Sequence, residues 1–285
     1  MSSKPNRMIL RITPALAFAT GCVASGPLVD TDLPPVPVSG HTHIRITADD
    51  GSVRVFTADV AQIEVHAESS GYDVRRDLDL SITPRGDQVD IVARILDQVH
   101  IFDLKQRSLH VEVRIPRDAD VEVSSGDGAV EVEAITGALD VGTGDGDVTV
   151  SGARGSIRLH TGDGSITGRG LDGSVDATTG DGSVDLTGRF DGLTVATGDG
   201  ELVANAATGS RMVQPWHLQT HDGSVTLGLS RDLAAHIDAS SSDGSVHSTI
   251  PLSVVGSSRA EGDVNGGGPS VVVRTGDGSI QLIQL

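Results

Sequence analysis

Residues 161–178 read TGDGSITGRGLDGSVDAT, and residues 179–197 continue TGDGSVDLTGRFDGLTVAT, so that Thr-Gly-Asp-Gly returns after 18 residues with its surroundings intact. Working outward, Gly-Asp-Gly begins at Gly126, Gly144, Gly162, Gly180 and Gly198, always at the same step. A short fixed period means one structural unit stacked on itself. Four residues before each turn Thr or its equivalent stand Leu139, Ile157, Val175, Leu193, Trp216, Ile237 and Val271, and two before it Val141, Leu159, Ala177, Val195, Leu218, Ala239 and Val273. Past the turn the pairs Val130/Val132, Val148/Val150, Val184/Leu186, Val225/Leu227 and Ile280/Leu282 repeat the alternation, with polar residues between their members. Period two is the strand period, so each coil supplies two short strands.

The expected fold is all-β: a parallel β-solenoid of 18-residue, two-strand coils spaced roughly 4.8 Å apart. Asp172-Gly173 and Asp191-Gly192 mark a second corner at mid-coil, and glycine is expected at the corners for positive φ. A core two side chains thick has no room for large aromatics, in keeping with 2% aromatic residues and 36 glycines in 285. From 125 to 285 the repeat is regular apart from insertions at 205–215 and 252–269, read as flanking loops, the second glycine-rich. Residues 41–124 read as an irregular β start to the same solenoid, with strands at Thr42 to Ala48, Ser52 to Thr57, Gln62 to Glu68, Leu78 to Thr83, Gln88 to Ile95 and Ser108 to Pro116. Arg85-Gly86-Asp87 falls in a hairpin turn between the fourth and fifth of these.

At the N-terminus Lys4, Arg7 and Arg11 precede the apolar stretch Ile12 to Gly21 and then Cys22, the sole cysteine. Residues 1–22 resemble a bacterial lipoprotein signal with its lipobox, which implies cleavage before Cys22 and lipid on its sulfur. Residues 23–40, with Pro27, Pro34, Pro35 and Pro37, read as an extended tether. The expected location is therefore extracytoplasmic, on a membrane through the lipid. A formal charge of −18 argues against nucleic acid as partner.

The run from Leu109 to Gly128, LHVEVRIPRDADVEVSSGDG, followed by stacked Gly-Asp-Gly-Ser-Val strands, resembles a bacterial β-strand-repeat family of unknown function whose members are described as candidate adhesins. The likeness covers about residues 41 to 285. It implies an extracytoplasmic domain, often on a lipoprotein, with no defining catalytic residues.

The turn aspartates Asp127, Asp145, Asp163, Asp181 and Asp199 should recur one coil apart, and like charges that close repel. Either backbone amides and the neighbouring Thr hydroxyls absorb the charge, or cations such as Ca²⁺ sit between rungs. His217, His221, His236 and His247 lack metal-ligand spacing and read as surface, so no metal site, cofactor or catalytic residue is expected. Asp176 and Asp185 read as solvated carboxylates and not as an acid pair. The function this supports is non-catalytic: an adhesin-like, surface-binding envelope scaffold with an unknown envelope partner. The first alternative is end-to-end self-assembly, because Ser279 to Leu285 reads as an uncovered last rung through which Ile280 and Leu282 would join a second copy; behind it stand a Ca²⁺-binding repeat protein and a β-helix enzyme acting on polysaccharide.

Overall fold

The computed structural model describes residues 11–12, 28–96 and 107–285; Cys22 and nearly all of the signal-like stretch lie outside the described residues. Every regular element described is a strand, with no helix among them. Nor does any helix long and apolar enough to cross a membrane occur among the described residues. The chain divides into two compact units between Thr136 and Gly137, inside the repeat, so that the first regular turn, Gly126 to Gly128, belongs to the first unit.

In the first unit Thr42–Ala48 lies between Gln88–Ile95 and Ala119–Ser124, parallel to both. Ser52–Ala58 lies likewise between Ser108–Pro116 and Val130–Glu133. The earliest rung in sequence is thus the middle rung in space. Antiparallel strands line the outer rung: Leu78–Arg85 on Gln88–Ile95, and Gln62–Ser70 on Ser108–Pro116. The Arg85-Gly86-Asp87 tripeptide is the hairpin turn between the first pair, with Gly86 at φ 68°.

The stretch expected to be a tether contains two strands within its described part. Leu28–Asp32 and Val36–Pro37 both run antiparallel to Gln62–Ser70, and Arg11–Ile12 pairs with Leu28–Asp32 in turn. Thr31, Leu33 and Val36 are buried, and Leu33 N donates to Val65 O at 3.0 Å. Pro34 and Pro35 only interrupt this edge, where a missing N–H costs no ladder bond.

The second unit carries two parallel ladders. Val148, Ile166, Val184 and Leu202 are successive partners, 18 residues apart each time, and Leu193 then pairs Trp216 across the 205–215 insertion. All the apolar columns named from the sequence are buried.

Beyond Val225–Leu229 the order in space departs from the order in sequence. Ser270–Thr275 lies between Trp216–Thr220 and Ala235–Ser241, and Ile280–Gln284 between Val225–Leu229 and Val246–Ser248. The C-terminal strand is therefore interior to the stack and not an uncovered last rung. Ile280 and Leu282 are fully buried and paired on both sides, which removes them as a joint to a second copy. The 252–269 insertion is not a plain loop either: Arg259–Val264 runs antiparallel along Ala235–Ser241, and Ser253–Val255 along Arg259–Val264. The detour through this hairpin lets the chain return one rung before its own outermost rung.

Two further expectations change. The core does hold large aromatics, since Phe190 and Trp216 are both fully buried in a T-shaped pair with centroids 6.0 Å apart. And positive φ occurs at mid-coil at Gly155 (125°) and Gly173 (134°), but not at Gly192, where the register shifts between rungs, nor at any glycine of the regular Gly-Asp-Gly turns. Those glycines answer to close approach. A Cβ on Gly164, Gly182 or Gly200 would overlap the carbonyl of the matching glycine one coil earlier.

The turn is closed by a buried hydroxyl. Thr179 Oγ1 donates toward Gly162 O (3.3 Å) and Gly164 O (2.8 Å), and Thr197 repeats this with Gly180 O (3.4 Å) and Gly182 O (2.8 Å). Thr161 Oγ1 also accepts the N–H of Gly164 at 3.2 Å, and Thr220 that of Gly223 at 3.1 Å. Each coil is thereby joined to the last by bonds that satisfy buried carbonyls.

Candidate functional site

Alternation places every second residue of the first unit's strands on an outward face, and the registers align those residues into rows. One row runs Asp32, His66, Glu112, Arg54, and the next Asp30, Glu68, His110, Ser52. A third carries Glu64, Arg114 and Phe56. Opposite charges directly across a strand pair are the favourable arrangement.

Here lies a cleft of about 380 Å³, with Leu33, Pro35 and Phe56 as its apolar lining and Asp32, His66 and Arg114 among its polar groups. Arg114 Nη1 is 3.2 Å from Glu64 Oε2, while its buried Nε has no hydrogen-bond partner. Arg54 reaches Glu133 at 2.7 Å, and its Nε, 3.5 Å from Glu131 Oε2, forms an ion pair without a hydrogen bond. Nδ1 of His66 lies 2.8 Å from Asp32 Oδ1, and Nε2 lies 3.6 Å from Glu68 Oε1. The bond to Asp32 raises the pKa of His66 above its ordinary value, against an opposing effect of burial. Asp30, His66 and Glu68 each bring one donor atom to within 4.8 Å of the others, and Asp30 Oδ1 is buried with no partner.

Ser52 Oγ sits 2.7 Å from His110 Nδ1, the beginning of a nucleophile and base. Glu112, however, stands 3.7 Å from His110 Nε2, too far for the hydrogen bond that orients such a base. The arrangement holds charges in register and does not assemble a hydrolytic triad.

The residues singled out from the sequence lie elsewhere. Asp127 is exposed in the first unit, and Asp145, Asp163, Asp181 and Asp199 are exposed in the second. Among the described residues no three of them bring carboxylate oxygens within 4.8 Å of one another. Thr hydroxyls satisfy the turn backbone while these carboxylates face solvent. His217, His221 and His247 are exposed, and His236 Nδ1 is bound to Asp263 Oδ1 at 2.7 Å, so the four do not gather. Asp176 pairs in register with Thr194 and Asp185 with Val203, on different ladders.

The Asp30, His66, Glu68 cluster was hidden by the tether reading. Asp30-Thr-Asp32 and His66-Ala-Glu68 each place two polar groups on one strand face by their spacing, but only if residues 28–32 are a strand.

Histidine pairing of this kind gives a pH signature. His41 is raised by its hydrogen bonds to Asp120 and then Asp118, and His236 by that to Asp263. A histidine whose folded pKa is raised stabilises fully below its unfolded value of about 6.5 and loses that contribution as pH rises through the folded value. Asp77, lowered chiefly by Arg76, and Asp238, lowered chiefly by Arg274, act oppositely and lose theirs as pH falls below about 4. The melting temperature measured against pH in low salt should therefore be highest between about pH 4 and 6.5 and decline above neutrality.

No curated protein is detectably similar to this chain. Solved structures are. A candidate lipid-binding protein from Parabacteroides distasonis is 12% identical with a TM-score of 0.50, the match covering 89% of this chain and 96% of that one. A candidate adhesin from Bacteroides fragilis is 10% identical with a TM-score of 0.47, over 90% and 97% of the two chains. A family profile that matches residues 41–282 of this all-β repeat gives the assignment: the chain belongs to the Toastrack DUF4097 family.

Proposed function

We propose that this chain is a non-catalytic binding scaffold of the bacterial cell envelope, a parallel β-solenoid of 18-residue, two-strand coils with an irregular N-terminal β cap, tethered by lipid on Cys22. The observation that carries the reading is the cleft on the first unit, where Leu33, Pro35 and Phe56 are ringed by Asp32, Glu64, His66 and Arg114. An apolar lining with a few convergent polar groups is the general form of a binding site. The buried Nε of Arg114, without an acceptor of its own, favours a ligand that brings one. The adhesin and lipid-binding descriptions of structurally similar proteins are in keeping with such a surface role.

The test is cosedimentation of the full chain with bacterial envelope fractions. Phe56→Ser and Arg114→Ala should each weaken binding about tenfold or more, as loss of a buried anchor does, while Asp163→Asn and Asp181→Asn leave it unchanged. Equal binding by all four variants would place the interaction elsewhere. Palmitate labelling that persists in Cys22→Ser would remove the lipid anchor from the proposal.

A further inference from the structure

We propose that Asp30, His66 and Glu68 form a binding site for a divalent first-row transition-metal ion, of the Zn²⁺ or Mn²⁺ class, on the outward face of the first unit. The three side chains come from two antiparallel strands. Asp30 and Glu68 are direct register partners, and His66 stands two residues before Glu68 on the same face, so the backbone itself sets the spacing. Their donor atoms already lie within 4.8 Å of one another, near enough for small side-chain rotations to bring all three onto one ion.

Two independent features separate this cluster from an ordinary group of surface acids. Asp30 Oδ1 is buried and makes no hydrogen bond, and a buried carboxylate oxygen left so is costly unless a cation or proton meets it. His66, for its part, is held by Asp32 through Nδ1 at 2.8 Å, which directs Nε2 toward Glu68. A carboxylate behind the far ring nitrogen is the usual support of a metal-ligating histidine, because it fixes the tautomer and the ring plane. One imidazole nitrogen with two carboxylates suits zinc, manganese or iron(II), whereas calcium prefers six to eight oxygens. An ion here would also relieve the repulsion between Asp30 and Glu68. The inference does not depend on the proposed envelope role, although Asp32 and His66 also line the cleft.

The experiment is calorimetric titration of the metal-stripped full chain, with Cys22 alkylated, using ZnCl₂, MnCl₂ and CaCl₂ separately. Zn²⁺ or Mn²⁺ should bind one equivalent, and Ca²⁺ at least tenfold more weakly. Glu68→Gln and Asp30→Asn should each weaken the transition ion by about tenfold or more, and Asp32→Asn, acting through His66, by about tenfold. His236→Ala, which removes another carboxylate-bound histidine, should change nothing. Should the ligand variants lose secondary structure, Mn²⁺ broadening in the NMR spectrum of the unsubstituted protein decides, since it should be strongest at the His66 imidazole. Absence of a saturable site, equal binding of Ca²⁺, retention in Glu68→Gln, or broadening centred on another histidine would each overturn the proposal.

Discussion

Leu282→Lys should lower the melting temperature of the protein by about 10 °C or more without changing the mass of the native species. Leu282 is fully buried, on a strand with a partner rung on either side. A lysine there must stay neutral or open the stack. Holding it neutral at pH 7, against an unperturbed pKa near 10.4, costs about 4–5 kcal/mol before any lost packing is counted. Because the strand is interior, the damage spreads to both neighbours, Val225–Leu229 and Val246–Ser248. The control is Val254→Lys, at a position 53% exposed on the outer antiparallel strand, which should shift the melting point little. Calorimetry together with light scattering reads both quantities. A loss of mass with an unchanged melt would mean that the C-terminal strand is a subunit joint after all, and that its intercalated position is wrong.

The second large effect is expected at a glycine with ordinary backbone angles. Gly182→Ala should cost about 3 kcal/mol or more, at the upper end of what overpacking does, because the new methyl would overlap the carbonyl of Gly164 in the preceding coil. Rigid backbone lies on both sides of the overlap, so the coils must part, and the Thr179 bond to Gly164 O would stretch with them. The neighbouring Asp181 gives the contrast, being exposed on the same turn, and Asp181→Ala should stay within about 0.5 kcal/mol. Denaturant melts of the two variants compare them directly. If both cost the same, the repeat's second glycine is a matter of turn propensity and not of coil spacing.

These two cases also divide what was legible in the sequence from what was not. The apolar columns from Leu139 to Val273 could be read because burial follows strand alternation, which is local. Mid-coil Gly173 could be read because its φ is a property of one residue. The requirement at Gly182 is set by an atom 18 residues away and leaves no local trace beyond the recurrence of the glycine itself. The candidate site was illegible for a related reason: Asp30 gains meaning only when Leu28–Asp32 docks on Gln62–Ser70, and a proline-rich flank gives no local sign of that partner.

The repeat unit, the strand faces and the apolar columns flanking the turns follow from the chain alone, since 18-residue periodicity and two-residue alternation act through sequence neighbours, whereas the buried mid-coil residues Leu171 and Phe190 do not. Only the tertiary structure decided the order of the outer rungs, the placement of Ile280 and Leu282 between two others, and the meeting of Asp30 with His66 and Glu68. The physical reason is that parallel rungs with matching apolar columns are interchangeable in their local energetics. Which rung lies beside which is settled by long-range pairing and by the antiparallel strands that cover the remaining edges.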